Sequence, residues 1–125
     1  MTTSAAFMAL NGIAASFLPQ EILAVSASGC GFIPVLVVQI AGALYLGFAV
    51  VNWMARGVLI GGIYARPLAL GNFMHFGVGA ITLAKVLATN FWLPAAILLL
   101  PYAALAGWFG TVLFASPVAN RHGDS

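Results

Sequence analysis

The chain has 125 residues, 63% of them hydrophobic and only 5% charged, with a mean hydropathy of +1.10. A water-facing domain carries roughly a quarter charged residues, so four basic and two acidic side chains cannot cover a soluble globule of this size. Lipid must solvate most of the surface, and so few cations form no basic stripe for nucleic acid.

A spanning helix needs about 20 apolar residues, so the length accommodates four crossings joined by short loops, with no soluble domain. The lone cysteine, Cys30, excludes an internal disulfide and a cysteine metal cluster within one chain. No Lys or Arg precedes the first apolar stretch, and Pro19-Gln20-Glu21 is a poor cleavage region. That stretch therefore reads as a retained helix rather than a signal peptide.

The first predicted helix covers about residues 3–18. At about 1.5 Å per residue it reaches only ~24 Å, short of a ~30 Å hydrocarbon core. Asn11 lies in its middle, and Gly12 with Ser16 forms a small-xxx-small pair that permits close approach of another helix. Pro19 then opens a short interfacial helix with Glu21 in its first turn. Gly29 is its stop, and a turn runs through Cys30 and Gly31.

The second spanning helix is predicted over 32–55. Tyr45 and Asn52 are seven residues apart and share a face, Gln39 points elsewhere, and Ala43 with Gly47 forms a small-residue seam. Trp53 and Arg56 mark the water boundary. The segment from Gly57 to Tyr64 is apolar but broken by glycines, too short to span and too flexible for a stable helix. It reads as a tight loop at the headgroups, pinned by Arg56 and Arg66.

The third spanning helix is predicted over 67–88. Asn72, His75, Gly79 and Thr82 recur at one-face spacing, and Ala80, Ala84 and Ala88 form another small seam. The fourth, over 92–114, has Pro94 in its first turn and Pro101 inside, where a kink is expected. Ala103-Gly107-Thr111 and Ala106-Gly110 are its small seams, and a polar tail occupies 116–125.

The expected fold is thus an all-α integral membrane protein, four transmembrane helices in an antiparallel bundle with an interfacial helix after the first, and a single membrane domain over 1–125. Arg56, Arg66 and Arg121 fall on one side and Lys85 on the other, so the positive-inside rule puts both termini in the cytoplasm. The membrane expected is a bacterial cytoplasmic one.

Intramembrane polarity defines the candidate site: Asn11, Gln39, Tyr45, Asn52, Asn72, His75 and Thr82. Ionisable residues inside a membrane are costly and often functional. As a haem ligand, however, His75 lacks an in-membrane partner, because His122 lies in the tail, so a bis-histidine haem would need two chains. The plainer reading is a neutral ring hydrogen-bonded within the bundle to Asn72, Tyr45 or Asn52. The amides serve equally as interhelical glue, at about 0.5–2 kcal/mol each. Lys85 is within a turn of its helix end and can snorkel. Arg56 and Arg66 set orientation or clamp a lipid phosphate. No metal site and no cofactor is called for, and no spanning segment contains Asp or Glu.

Three stretches carry a family resemblance: Phe17-Leu18-Pro19-Gln20-Glu21-Ile22-Leu23, Gly42-Ala43-Leu44-Tyr45-Leu46-Gly47, and Arg66-Pro67 followed by Gly71-Asn72-Phe73. With these, under half of its length, the chain resembles small bacterial four-helix membrane proteins of the DoxX-like kind. The resemblance implies the four-helix fold, and some such proteins act as membrane partners of quinone-linked redox enzymes. It implies no site residues here.

The function expected is a small, non-catalytic membrane subunit that packs with itself or with other membrane subunits. Two rivals are a small-solute carrier or channel lined by the amides and His75, and a quinone- or haem-binding redox subunit. A liposome flux assay separates the first rival and a visible spectrum the second.

Overall fold

In the computed structural model, residues 1–25, 31–57 and 65–115 are described, without the side chains of residues 65 and 115. Five α-helices account for nearly all of them: α1 (Thr2–Phe17), α2 (Pro19–Val25), α3 (Phe32–Met54), α4 (Ala65–Thr89) and α5 (Leu93–Ala115). A 3-10 turn, Ala55–Gly57, follows α3. Among the described residues, three helices are long and apolar enough to cross a membrane: Phe32–Gly57, Arg66–Thr89 and Leu93–Phe114. The pair α1 and α2, bent by 94° at their junction, passes the same length and composition test only when the two are taken together.

The helix limits lie within two residues of those expected from the sequence. The expected stop at Gly29, the turn through Cys30, the loop beyond Gly57 and the polar tail lie outside the described residues.

Two compact units divide the chain, Met1–Gly57 and Val58–Ser125. In the first, α1 packs along α3. Ser4 Oγ donates to the Met1 carbonyl at 2.8 Å, which secures the first turn of α1. The Leu18 amide closes its end on Ala14 O at 2.8 Å. Pro19 cannot extend α1, because its ring lacks an N–H and disfavours helical geometry at the preceding residue. Leu18 accordingly leaves the helix at φ −123°, and α2 departs at the bend.

The crossing of α1 and α3 is built on two glycines. A Cβ on Gly42 would stand 2.7 Å from the Ser16 backbone nitrogen, and one on Gly12 would stand 2.9 Å from that of Leu46. Backbone thus lies against backbone at the Gly12–Ser16 pair. At the expected seam glycine Gly47 an added Cβ would meet nothing of the first unit within 4 Å, and the same holds for Gly107 of α5 in the second. Neither glycine seats a helix of its own unit.

In the second unit, α4 packs along α5 around aromatic rings. Phe76 and Phe109 stack nearly parallel, centroids 6.1 Å apart, and Phe73 meets Phe114 edge-on at 6.1 Å. Gly110 makes room for Phe73, whose Cε2 would lie 3.2 Å from an added Cβ. Gly79 makes room for the Tyr102 ring, which an added Cβ would overlap. Pro101 removes one helical N–H, yet α5 continues through it as a single helix.

Candidate functional site

The polar positions divide between the units. Asn11, Gln39, Tyr45 and Asn52 belong to the first; Asn72, His75 and Thr82 belong to the second.

In the first unit Asn52 is fully buried, and its Nδ2 donates to the Met8 sulfur of α1 at 3.4 Å. Thioether sulfur is a weak acceptor, and Met8, also fully buried, is a partner that amide patterning does not point to. Asn11 turns back on its own helix, Nδ2 donating to Phe7 O at 2.8 Å. Tyr45 is half-buried, whereas Gln39 is exposed.

In the second unit Asn72 is fully buried and donates to Leu68 O, four residues back, at 2.9 Å. Asn11 and Asn72 therefore each commit an amide N–H to their own helix. Thr82, expected on the same buried face, is exposed and donates to Val78 O at 2.9 Å. The shared face turns inward from Asn72 to Gly79 and has left the packed side by Thr82.

His75 is half-buried with its Nε2 enclosed. Its ring meets Phe76 edge-on at 5.1 Å and lies tilted against Tyr102 at 5.9 Å. Phe76 and Tyr102 also meet edge-on at 5.4 Å, which closes a cluster of three rings that includes the imidazole. Sequence reading missed Tyr102 and Phe76. The available signal was Gly79, one turn beyond His75, since a glycine beside a buried polar ring leaves space for a bulky residue opposite.

The cluster yields a direct expectation. His75→Gln keeps a polar side chain of similar reach and should leave thermal stability nearly unchanged. His75→Leu removes the polar group and should destabilise by about 1–3 kcal/mol if a buried partner is left unsatisfied. Thermal unfolding of the purified protein in detergent checks both; an unaltered Leu variant would show that the imidazole contributes only its bulk.

At the end of α3, Arg56 Nη1 donates to Trp53 O at 2.8 Å, and the guanidinium lies 4.0 Å above the Trp53 ring. Exposed cation–π pairs of this kind contribute about 0.5–1 kcal/mol, and a cation there also opposes the negative end of the helix dipole. Arg66, at the start of α4, is exposed. Among the described residues, no three His, Cys, Asp or Glu side chains group as a metal site would require.

No family model, curated protein or solved structure matches the chain. The functional reading therefore starts from the residues themselves.

Proposed function

We propose that the protein is a small, non-catalytic integral membrane subunit that packs in a homo-oligomer or a larger membrane complex. The observation that carries this reading is the open glycines inside the long helices, Gly47, Gly77 and Gly107, where an added Cβ would meet nothing within 4 Å. Each unit already has a close internal helix contact, at Gly12 and Gly42 or at Gly79 and Gly110. Gly47 and Gly107 are exposed, cost helix propensity there, and touch nothing in their own unit. Helix association in lipid draws on such small residues. Purification in mild detergent tests the reading. The native assembly should elute larger than one chain, alone or with co-purifying membrane proteins; a solitary monomer would overturn it.

The proposed architecture has four crossings in an antiparallel bundle, with α2 at the interface, in a bacterial cytoplasmic membrane and with both termini inside. The 94° bend at Leu18-Pro19 supports an interfacial α2, and α1 alone, 16 residues or about 24 Å, then crosses where the bilayer thins locally. Glu21 is exposed on α2 and belongs at a headgroup boundary. The DoxX-like resemblance agrees with this arrangement, and Arg56 on Trp53 supplies an anchor at headgroup level. The bilayer is then the principal partner, with phosphate oxygens available to Arg56 and Arg66.

Topology is testable with membrane-impermeant thiol reagents. Native Cys30 should label from outside the cell. An introduced Ser125→Cys, in a Cys30→Ser background, should label only after permeabilisation. Labelling of both from one side would refute the four-crossing arrangement.

A further inference from the structure

The register of α1 on α3, inside the first unit, fixes how deep α2 lies. Asn52 donates to the Met8 sulfur, a Cβ on Gly12 would meet the Leu46 nitrogen at 2.9 Å, and one on Gly42 would meet the Ser16 nitrogen at 2.7 Å. The two helices are therefore antiparallel, with Met8 level with Asn52 and Ser16 level with Gly42. One residue later α1 ends, at Phe17. Gly42 is ten residues from the start of α3 at Phe32, about 15 Å along the axis. The turn into α2 thus comes near the middle of α3 and not at its end.

Leaving α1 at 94°, α2 packs on α3 with Pro19 and Leu23 buried. It runs across α3 rather than along it, and the same register puts it at about the level of Gln39. Three polar side chains, Gln20, Glu21 and Gln39, share that depth. An unpaired carboxylate does not stay in hydrocarbon. The only Lys or Arg of Met1–Gly57 is Arg56, about 25 Å further along α3. Water or headgroups must therefore reach Glu21 where it stands. Beyond that level, however, α3 continues as Phe32-Ile33-Pro34-Val35-Leu36-Val37-Val38, wholly apolar and about 10 Å long. These residues complete a crossing of full thickness, since Phe32 to Val51 covers about 30 Å. A flat boundary cannot satisfy both segments.

We propose that the polar surface of the bilayer dips by about 10 Å beside α2, where Gln20, Glu21 and Gln39 hold zwitterionic phospholipid headgroups below the level surrounding the start of α3. The proposal rests on the membrane-subunit reading and adds a lipid contact to it. A carboxylate accepts from an ammonium group and glutamine amides donate to phosphate oxygens, so the set suits a headgroup that carries both. The dip also locates the thinning that α1 requires, because it lies where α1 ends.

The test reads the depth of an environment-sensitive nitrobenzoxadiazole label in vesicles of dioleoylphosphatidylethanolamine and dioleoylphosphatidylcholine, by quenching with spin-labelled lipids. Single cysteines are placed in a Cys30→Ser background at Ala24→Cys of α2 and Leu36→Cys of α3, both exposed and neither a proposed headgroup contact. The label at position 24 should be quenched best by headgroup spin labels and the one at position 36 by acyl-chain spin labels. A flat boundary would make position 36 the more water-exposed of the two and overturn the proposal. Hydrocarbon quenching at position 24 would overturn it as well, since α2 would then be immersed. Gln20→Leu combined with Glu21→Leu should shift emission from position 24 to the blue; an unchanged spectrum would deny those side chains the role. A solitary monomer with the expected depths removes the membrane-subunit reading and leaves the dip, whereas an oligomer with a flat boundary does the reverse.

Discussion

Gly42→Leu is expected to abolish the packing of α1 on α3, while Gly47→Leu, five residues further along the same helix, leaves that packing intact. At Gly42 even a methyl group would stand 2.7 Å from the Ser16 nitrogen and 3.0 Å from the Ala15 carbonyl carbon. Those are backbone atoms, which cannot rotate aside as a side chain can. Gly42→Ala should therefore cost about 1–3 kcal/mol, the usual range for overpacking. Leucine adds bulk that no rotamer can place in the crossing, so the helices must separate. At Gly47 an added Cβ meets nothing within 4 Å. Replacement there should not destabilise the monomer and, by relieving the helix cost of glycine, should leave its stability unchanged or raise it by up to about 1 kcal/mol, whatever it does to association between chains. Thermal or detergent-titrated unfolding of the two variants distinguishes the sites. Similar loss from both would mean that Gly47, too, seats a helix of the same chain.

That contrast also shows where the sequence was legible. Helix extents were, because Pro19, Pro67, Pro94 and the apolar runs mark them by steric and solvation rules that act locally. Gly12 and Ser16 were read as a contact and lie at the α1–α3 crossing. The small-residue seam noted on α3 was Ala43 and Gly47, whereas the α1 crossing uses Gly42. One residue along a helix is a rotation of about 100°, so a one-position error changes which face is packed. In water the polar face would have settled the choice. In lipid both faces are apolar, and small residues look alike whether they meet a helix in the same chain or present an open surface.

The polar site was legible by residue but not by partner. Asn11, Asn52 and Asn72 were identifiable as amides that need hydrogen bonds. Sequence spacing does not reveal that Asn11 and Asn72 donate to the preceding turn while Asn52 finds a thioether sulfur. Side-chain reach allows both solutions, and only the packed geometry chooses. The aromatic cluster on His75 was hidden for a related reason: Phe and Tyr in an apolar span carry no periodic signal, since every position around them is apolar as well.

Phe76→Ala should produce the largest loss in the second unit. Phe76 is fully buried and contacts three rings, with centroid distances of 5.1 Å to His75, 5.4 Å to Tyr102 and 6.1 Å to Phe109. In a soluble protein a Phe→Ala change costs about 3–5 kcal/mol, part transfer from water and part cavity. Within a bilayer the separated helices still sit in hydrocarbon, so the transfer part largely disappears and lost packing remains. Removal of the ring leaves on the order of 100 Å³, and at ~24 cal/mol per Å³ the cost is about 2–3 kcal/mol. Lost edge-to-face and stacked ring pairs add about 0.5–1.5 kcal/mol each where neighbouring rings cannot close the gap. Phe76→Leu restores most of the volume but none of the ring geometry and should fall between alanine and wild type. Unfolding of the three proteins in one detergent gives the order directly. If alanine and leucine were equally damaging, the ring–ring geometry would outweigh the volume; if neither destabilised, α4 and α5 would not be held by this cluster.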